Sequence, residues 1–82
     1  MLDIDYYPEF LRRINKIKNN ALREKVKKQV AKIIEFPESG KPMRYLRKGT
    51  RELYVHPFRI SYAYLKDKNK IVFLDLYHKD EQ

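Results

Sequence analysis

"RELYVHPFRISYAYLKDKNKIVFLDLYHKDEQ", from Arg51 to Gln82, is the stretch whose reading decides the fold. Leu53 and Val55 alternate with Glu52 and Tyr54. After His56-Pro57, the residues Phe58, Ile60, Tyr62 and Tyr64 alternate with Arg59, Ser61 and Ala63. After the charged segment "KDKNK", Val72, Leu74 and Leu76 alternate with Phe73, Asp75 and Tyr77. A period of two over β-branched and aromatic residues, punctuated by a proline and by a polar cluster, predicts strands joined by tight turns. Strands joined so closely pair antiparallel. With Ile60 and Tyr62 facing a core, Arg59 and Ser61 face the opposite, open side of the sheet. His78 falls in step with Leu74 and Leu76, which aims it toward the core side at the rim.

Upstream residues supply the cover for that sheet. Leu2, Ile4 and Tyr6 alternate with Asp3 and Asp5, the pattern of a half-buried strand. Pro8 suits the first turn of a helix, where its missing N–H costs nothing. Phe10, Leu11, Ile14 and Ile17 then mark one face of a helix over Pro8–Lys18. Asn19 and Asn20 interrupt it, with Asn20 as the cap of a second helix over Ala21–Glu35. That helix carries an apolar stripe of Leu22, Val26, Val30, Ile33 and Ile34, and cations on its other faces. So short a break predicts an antiparallel helical hairpin. "FPESGKP" (Phe36–Pro42) is a loop, "MRYLR" (Met43–Arg47) a short strand, and Gly49-Thr50 a turn. The expected fold class is α+β: an N-terminal strand, a two-helix antiparallel hairpin, then a three- to four-stranded antiparallel sheet, all in a single domain over residues 1–82.

Bulk composition narrows the function classes. The chain has 82 residues, 43% hydrophobic and 37% charged, with seven Tyr and four Phe. That suffices for one small core and does not describe a disordered chain. With no cysteine, disulfides and thiolate chemistry are excluded. No apolar run approaches the roughly 18 residues of a membrane span, and the N-terminus does not read as a signal peptide, so a soluble cytoplasmic protein is expected. Nineteen Lys and Arg against 11 Asp and Glu leave a net charge of +8. A field of that strength on so small a domain selects polyanionic partners, although charge also serves solubility alone.

Several residues have chemistry to offer. Lys41, Arg44, Arg47, Lys48 and Arg51 lie within eleven residues that contain no acid, with Tyr45 among them. Cations beside an aromatic ring suit single-stranded RNA, with charge for phosphate and a ring for an unstacked base. The same cations also suit an edge strand protected from aggregation. Arg59 sits mid-strand among apolar neighbours, which is costly unless it meets solvent or an anion. Its planar fork matches phosphate oxygens, and on a rigid strand it would stabilise a phosphorane-like transition state. An ion pair with Glu52 on the neighbouring strand is the structural alternative, compatible with that role. His78 ends the last strand and is able to exchange a proton near neutral pH, beside Lys79. A surface residue is the plainer reading. His56, next to Pro57, reads as a turn residue. Two His and no Cys offer no metal-ligand spacing, and no cofactor motif is present.

The element order, and the segment "GKPMRYLRKGTRELYVHPFRISYAY…KIVFLDLYHKDEQ", resemble the RelE/ParE toxins of type II toxin–antitoxin systems, in particular the RelE-like branch. The matching features are a loop glycine before a basic strand, Phe58-Arg59-Ile60-Ser61-Tyr62 as the central strand, and His78-Lys79 at the end of the last one. The resemblance implies a RelE/ParE-like fold and a ribosome-dependent, metal-independent endoribonuclease that inhibits translation. In such an enzyme the 2′-OH of the mRNA attacks the adjacent phosphate. It further implies Arg59 as transition-state stabiliser, His78 and Lys79 as catalytic residues, and Lys41, Arg44, Arg47, Lys48 and Arg51 on the RNA backbone. Where relatives carry strand lysines this chain has Glu52 and Tyr54, so Glu52 stands as a base and Tyr54 as a stacking or proton-donating group. The C-terminal helix with a catalytic Tyr found in some relatives is not expected in this sequence. The implied partners are the ribosome, mRNA and an acidic RelB-like antitoxin that forms a heterocomplex with the toxin. A ParE-like inhibitor of DNA gyrase and an inactive basic binding module are the alternatives.

Overall fold

A computed structural model describes residues 2–43 and 49–78. It contains β1 (Asp3–Tyr6), α1 (Pro8–Asn15), α2 (Asn20–Glu35), β2 (Lys41–Pro42), β3 (Thr50–Val55), β4 (Phe58–Leu65) and β5 (Lys70–His78), with a short 3-10 turn at Lys66–Lys68. The strands form one five-stranded sheet in the order β1-β5-β4-β3-β2. From β2 to β5 every pairing is antiparallel, as the short connections require. The N-terminal strand adds a fifth member, parallel to β5, with Asp3 opposite Lys70 and Tyr6 opposite Phe73. The sheet is therefore mixed, and the class is α+β.

Local chemistry explains most boundaries. Pro8 opens α1, which ends at Asn15, three residues short of the predicted end. Asn19, rather than Asn20, caps α2: its side-chain oxygen accepts from the Leu22 N–H at 3.0 Å. The β3–β4 hairpin closes through His56-Pro57, with Val55 opposite Phe58. Asn69 ends the 3-10 turn in the left-handed region at φ 49°, a conformation asparagine tolerates well. Lys41 and Pro42, expected in a loop, pair with Glu52 and Arg51. Met43 continues that edge by donating its N–H to the Thr50 carbonyl at 3.0 Å. The rest of the predicted Met43–Arg47 strand lies outside the described residues.

The two helices lie on the same side of the sheet, α1 against β5 and α2 against β3. Phe10, Ile17, Val26 and Ile33 from this layer bury against Val55, Ile60, Tyr62, Ile71, Phe73 and Leu76. Burial of each large side chain contributes roughly 1.5–3 kcal/mol before entropy is charged against it. The rings of Tyr6, Phe10 and Phe73 stack in sequence at centroid distances of 5.2–6.1 Å. Leu11, predicted on the buried face of α1, is 45% exposed, because it lies a full helical step around from Phe10.

One correction to the sequence reading matters for the site. Strict alternation puts Val72, Leu74 and Leu76 on one side of β5. Instead Ile71 and Phe73 are buried on the helix side, and burial resumes at Leu76. The register explains this: Tyr62 faces Phe73 while Ser61 faces Asp75, so Leu74 is an extra residue on β5. A bulge of this kind switches the alternation and leaves Leu76 and His78 on the core side.

Candidate functional site

The face of the sheet away from the helices carries a connected polar row. Tyr54 on β3 pairs with Arg59 on β4, and Arg59 pairs with Tyr77 on β5. Residues directly opposite one another on adjacent strands project from the same face, so these three side chains stand side by side. Glu52, two residues before Tyr54, shares their face. Its Oε1 accepts from Arg59 Nη1 at 3.0 Å and its Oε2 accepts from the Tyr77 hydroxyl at 2.5 Å. The Arg59 guanidinium carbon lies 6.0 Å from the centre of the Tyr54 ring, at the outer limit of a cation–π contact. The Tyr54 hydroxyl is 2.8 Å from His56 Nδ1.

The predicted Glu52–Arg59 ion pair is therefore present. It does not seal the guanidinium, whose side chain is 33% exposed against 24% for Glu52. A cation held in place by a carboxylate and flanked by two phenols gathers three kinds of chemistry on one face. The carboxylate can accept a proton, the guanidinium can neutralise a developing charge, and the phenols can donate.

The other sequence-derived candidates are distributed around this centre. Lys41 is exposed and pairs with Glu52, which puts it on the same face one strand further out. Arg51 is on the helix side. Its guanidinium donates to the Glu38 carbonyl at 3.1 Å and to the Gly40 carbonyl at 2.7 Å, and its side chain is 19% exposed. That geometry makes it a clamp on the loop before β2. His78 is also on the helix side, where its ring meets Phe58 edge-on at 5.9 Å. It lines a groove of about 180 Å³ with Arg13, Lys16, Ile17, Phe58 and Leu76. The described residues thus bring Arg59, Glu52 and Tyr54 together and place His78 on the opposite face. Arg44, Arg47, Lys48 and Lys79 lie outside the described residues.

Two residues gain importance from the structure. Tyr77 joins the cluster because its register opposite Arg59 puts it on the site's face, where its hydroxyl meets Glu52, a contact that alternation alone does not reveal. His56 is drawn in through Tyr54. The sequence signal was the i, i+2 spacing of Tyr54 and His56, which the turn-forming His56-Pro57 pair obscured.

Behind the site, Tyr62 anchors the loop that leads to β2. Its hydroxyl donates to the Pro37 carbonyl and accepts from the Gly40 N–H, both at 2.8 Å. Burial pushes the Tyr62 phenol above its ordinary value, against the opposing pull of the Gly40 N–H, the Ser39 side chain and the Arg51 charge. Gly40 has no room for a side chain, since a Cβ there would lie 2.5 Å from the Tyr62 hydroxyl oxygen. Among the described residues no group of three or more His, Asp or Glu is arranged to hold a metal ion, and no helix is long and apolar enough to cross a membrane.

Comparison with known proteins adds an independent line. Residues 3–82 match the family model described as the ParE toxin of the type II toxin–antitoxin system, parDE. No match was found among curated protein sequences. The fold superposes on a chain of the intact E. coli RelBE toxin–antitoxin complex with a TM-score of 0.78, at 18% identity over 95% of this chain and 96% of that one. It matches a chain of the E. coli DinJ-YafQ complex with a TM-score of 0.77, at 15% identity over 99% and 97% of the two chains. A chain of the RelBE2 toxin–antitoxin complex from Mycobacterium tuberculosis matches with a TM-score of 0.73, at 21% identity over 95% and 98%.

Proposed function

This chain belongs to the ParE toxin family of type II toxin–antitoxin systems, within the RelE/ParE superfamily, and from that premise we propose that its helix-free sheet face is a ribosome-dependent, metal-independent endoribonuclease site that cleaves mRNA. The observation that carries this reading is the Arg59 guanidinium, held by Glu52 between Tyr54 and Tyr77 on a rigid strand and still reachable from solvent.

The chemistry follows from those groups. The 2′-OH attacks the adjacent phosphorus, forming a 2′,3′-cyclic phosphate as the bond to the 5′-oxygen breaks. Glu52 takes the proton of the 2′-OH. Arg59 neutralises the charge that builds on the non-bridging oxygens, which its planar fork does better than an ammonium. Tyr54 supplies the proton for the departing 5′-oxygen, and Tyr77 holds the Glu52 carboxylate in place. Lys41, with Arg44, Arg47 and Lys48, tracks the RNA backbone. Arg51 contributes by fixing the loop from which Lys41 emerges. On this assignment the catalytic role that resemblance gave to His78, beside Lys79, is not used, and Tyr54, which shares the face of Arg59, acts as the proton donor.

In the cytoplasm an acidic antitoxin is the natural counterpart of a chain with net charge +8. The RelBE complex among the similar structures is a toxin–antitoxin assembly. We place such a partner over the cationic face in a heterocomplex, with residues 1–82 acting as one toxin domain. The test is synthesis of the protein in a translating extract, followed by primer extension on a reporter mRNA. Cuts that disappear in Arg59→Ala support the reading. The family match to ParE favours a second reading, gyrase inhibition, which predicts intact mRNA and loss of DNA supercoiling activity in the same extract.

A further inference from the structure

We propose that His56 is a positioning residue for proton transfer at this site: its imidazole orients the Tyr54 hydroxyl and returns a proton to it as that hydroxyl protonates the leaving 5′-oxygen. This inference rests on the nuclease reading and gives its least defined step a physical basis. A lone phenol is a poor acid at neutral pH, because its proton leaves behind a costly phenolate. A protonated imidazole in contact with it removes that cost by refilling the phenolate at once.

The geometry is specific. His56 Nδ1 lies 2.8 Å from the Tyr54 hydroxyl oxygen, with the two rings nearly perpendicular at 79° and 6.0 Å between centres. Tyr54 is 50% exposed, so its hydroxyl is accessible to a substrate, and its ring lies beside the Arg59 guanidinium. Three elements hold the His56 backbone. β3 ends at Val55, the residue before it, and β4 begins at Phe58 after Pro57. The Lys25 ammonium of α2 donates to the His56 carbonyl at 3.5 Å. A histidine that served only to make the turn would have no reason to aim its ring nitrogen at a phenol beside the proposed phosphate ligand.

The step balances. The bond from the 2′-oxygen to phosphorus forms and the bond from phosphorus to the 5′-oxygen breaks. The Tyr54 proton goes to the 5′-oxygen, and the proton on His56 Nδ1 goes to the Tyr54 oxygen, leaving a neutral phenol and a neutral imidazole. Glu52 holds the proton taken from the 2′-OH. Lys25 from α2 reaches the His56 carbonyl, and Arg59 from β4 lies beside the ring of Tyr54, the phenol that His56 contacts.

The test uses the full chain on ribosomes programmed with a short mRNA whose scissile bond carries either the normal 5′-oxygen or a 5′-sulfur. A thiolate departs without a proton. His56→Ala is expected to slow cleavage of the oxygen substrate about 10²-fold or more, the scale of a lost acid catalyst, and to recover to within a few-fold of the parent on the sulfur substrate. His56→Gln, which keeps a hydrogen bond but cannot deliver a proton, should stay slow on the oxygen substrate and recover on the sulfur one. Arg59→Ala should be slow on both substrates, and all variants should sediment with ribosomes. Parental rates for His56→Ala on oxygen, or equal slowing on both substrates, would overturn the role of His56 alone. A parent that cuts neither substrate would sink the nuclease reading and this inference with it.

Discussion

Replacing Tyr62 with phenylalanine isolates the clasp behind the site. The ring stays in the core, where Tyr62 is fully buried, and only the hydroxyl is lost. That oxygen serves two backbone groups at 2.8 Å, the Pro37 carbonyl and the N–H of buried Gly40. A buried donor left without its partner costs about 1–3 kcal/mol, and the carbonyl on the loop recovers part of its loss from water. The expected net destabilisation is about 2 kcal/mol, which for a domain of this size lowers Tm by roughly 8–16 °C. Chemical denaturation and thermal melts followed by circular dichroism measure both. A pH series adds a second check. Because burial raises the Tyr62 phenol above its ordinary 10.0, the folded state holds this proton more tightly than the unfolded chain. The resulting stability is intact below pH 10 and is lost as pH rises through the raised value. Tyr62→Phe should therefore show a shallower alkaline loss than the parent. A variant within about 0.5 kcal/mol of the parent, the spread of ordinary surface changes, with an unchanged alkaline slope, would refute the clasp.

Gly40→Ala attacks the same contact from the other side. A Cβ 2.5 Å from the Tyr62 hydroxyl oxygen must displace ring or loop, and a loss of about 1–3 kcal/mol is expected in the same melts. Asn19→Ala removes the acceptor at the start of α2 and should cost about 1 kcal/mol, read from the denaturation midpoint. Glu52→Gln preserves the shape of the Arg59 contact while removing the proposed base. Cleavage should fall about 10²–10⁴-fold with the melting curve nearly unmoved, and undiminished cleavage would assign the base elsewhere. Arg59→Lys retains a charge but loses the fork, so primer extension should show far weaker cuts than the parent at equal toxin levels.

Much of this protein is written into local pattern. Period-two alternation around Arg59 placed it opposite the helices, because side chains on a strand can only take alternate faces and Ile60 and Tyr62 had to be buried. The Glu52–Arg59 pair was visible for the same reason, once a tight turn fixed the hairpin register. The helix stripes were legible from their spacing, and the basic segment from its lack of acids. The sequence by itself therefore determined the class of fold, the face that carries Arg59 and the sign of the field around it.

Tertiary structure decided the rest. The parallel pairing of β1 with β5 joins residues far apart in the chain, and no local periodicity records such a partner. The bulge at Leu74 is a compromise between two registers, one set by the Ile60–Leu76 contact and the other by the Tyr62–Phe73 contact, and only the assembled core reveals that they differ by one residue. That single residue turns Ile71 and Phe73 toward the helices, where unbroken alternation would have put Val72 and Leu74. The link between His56 and Tyr54 likewise waits on the turn that aims one ring at the other. Local pattern assigns a side chain to a face, whereas which side chains meet there depends on registers set by long-range packing.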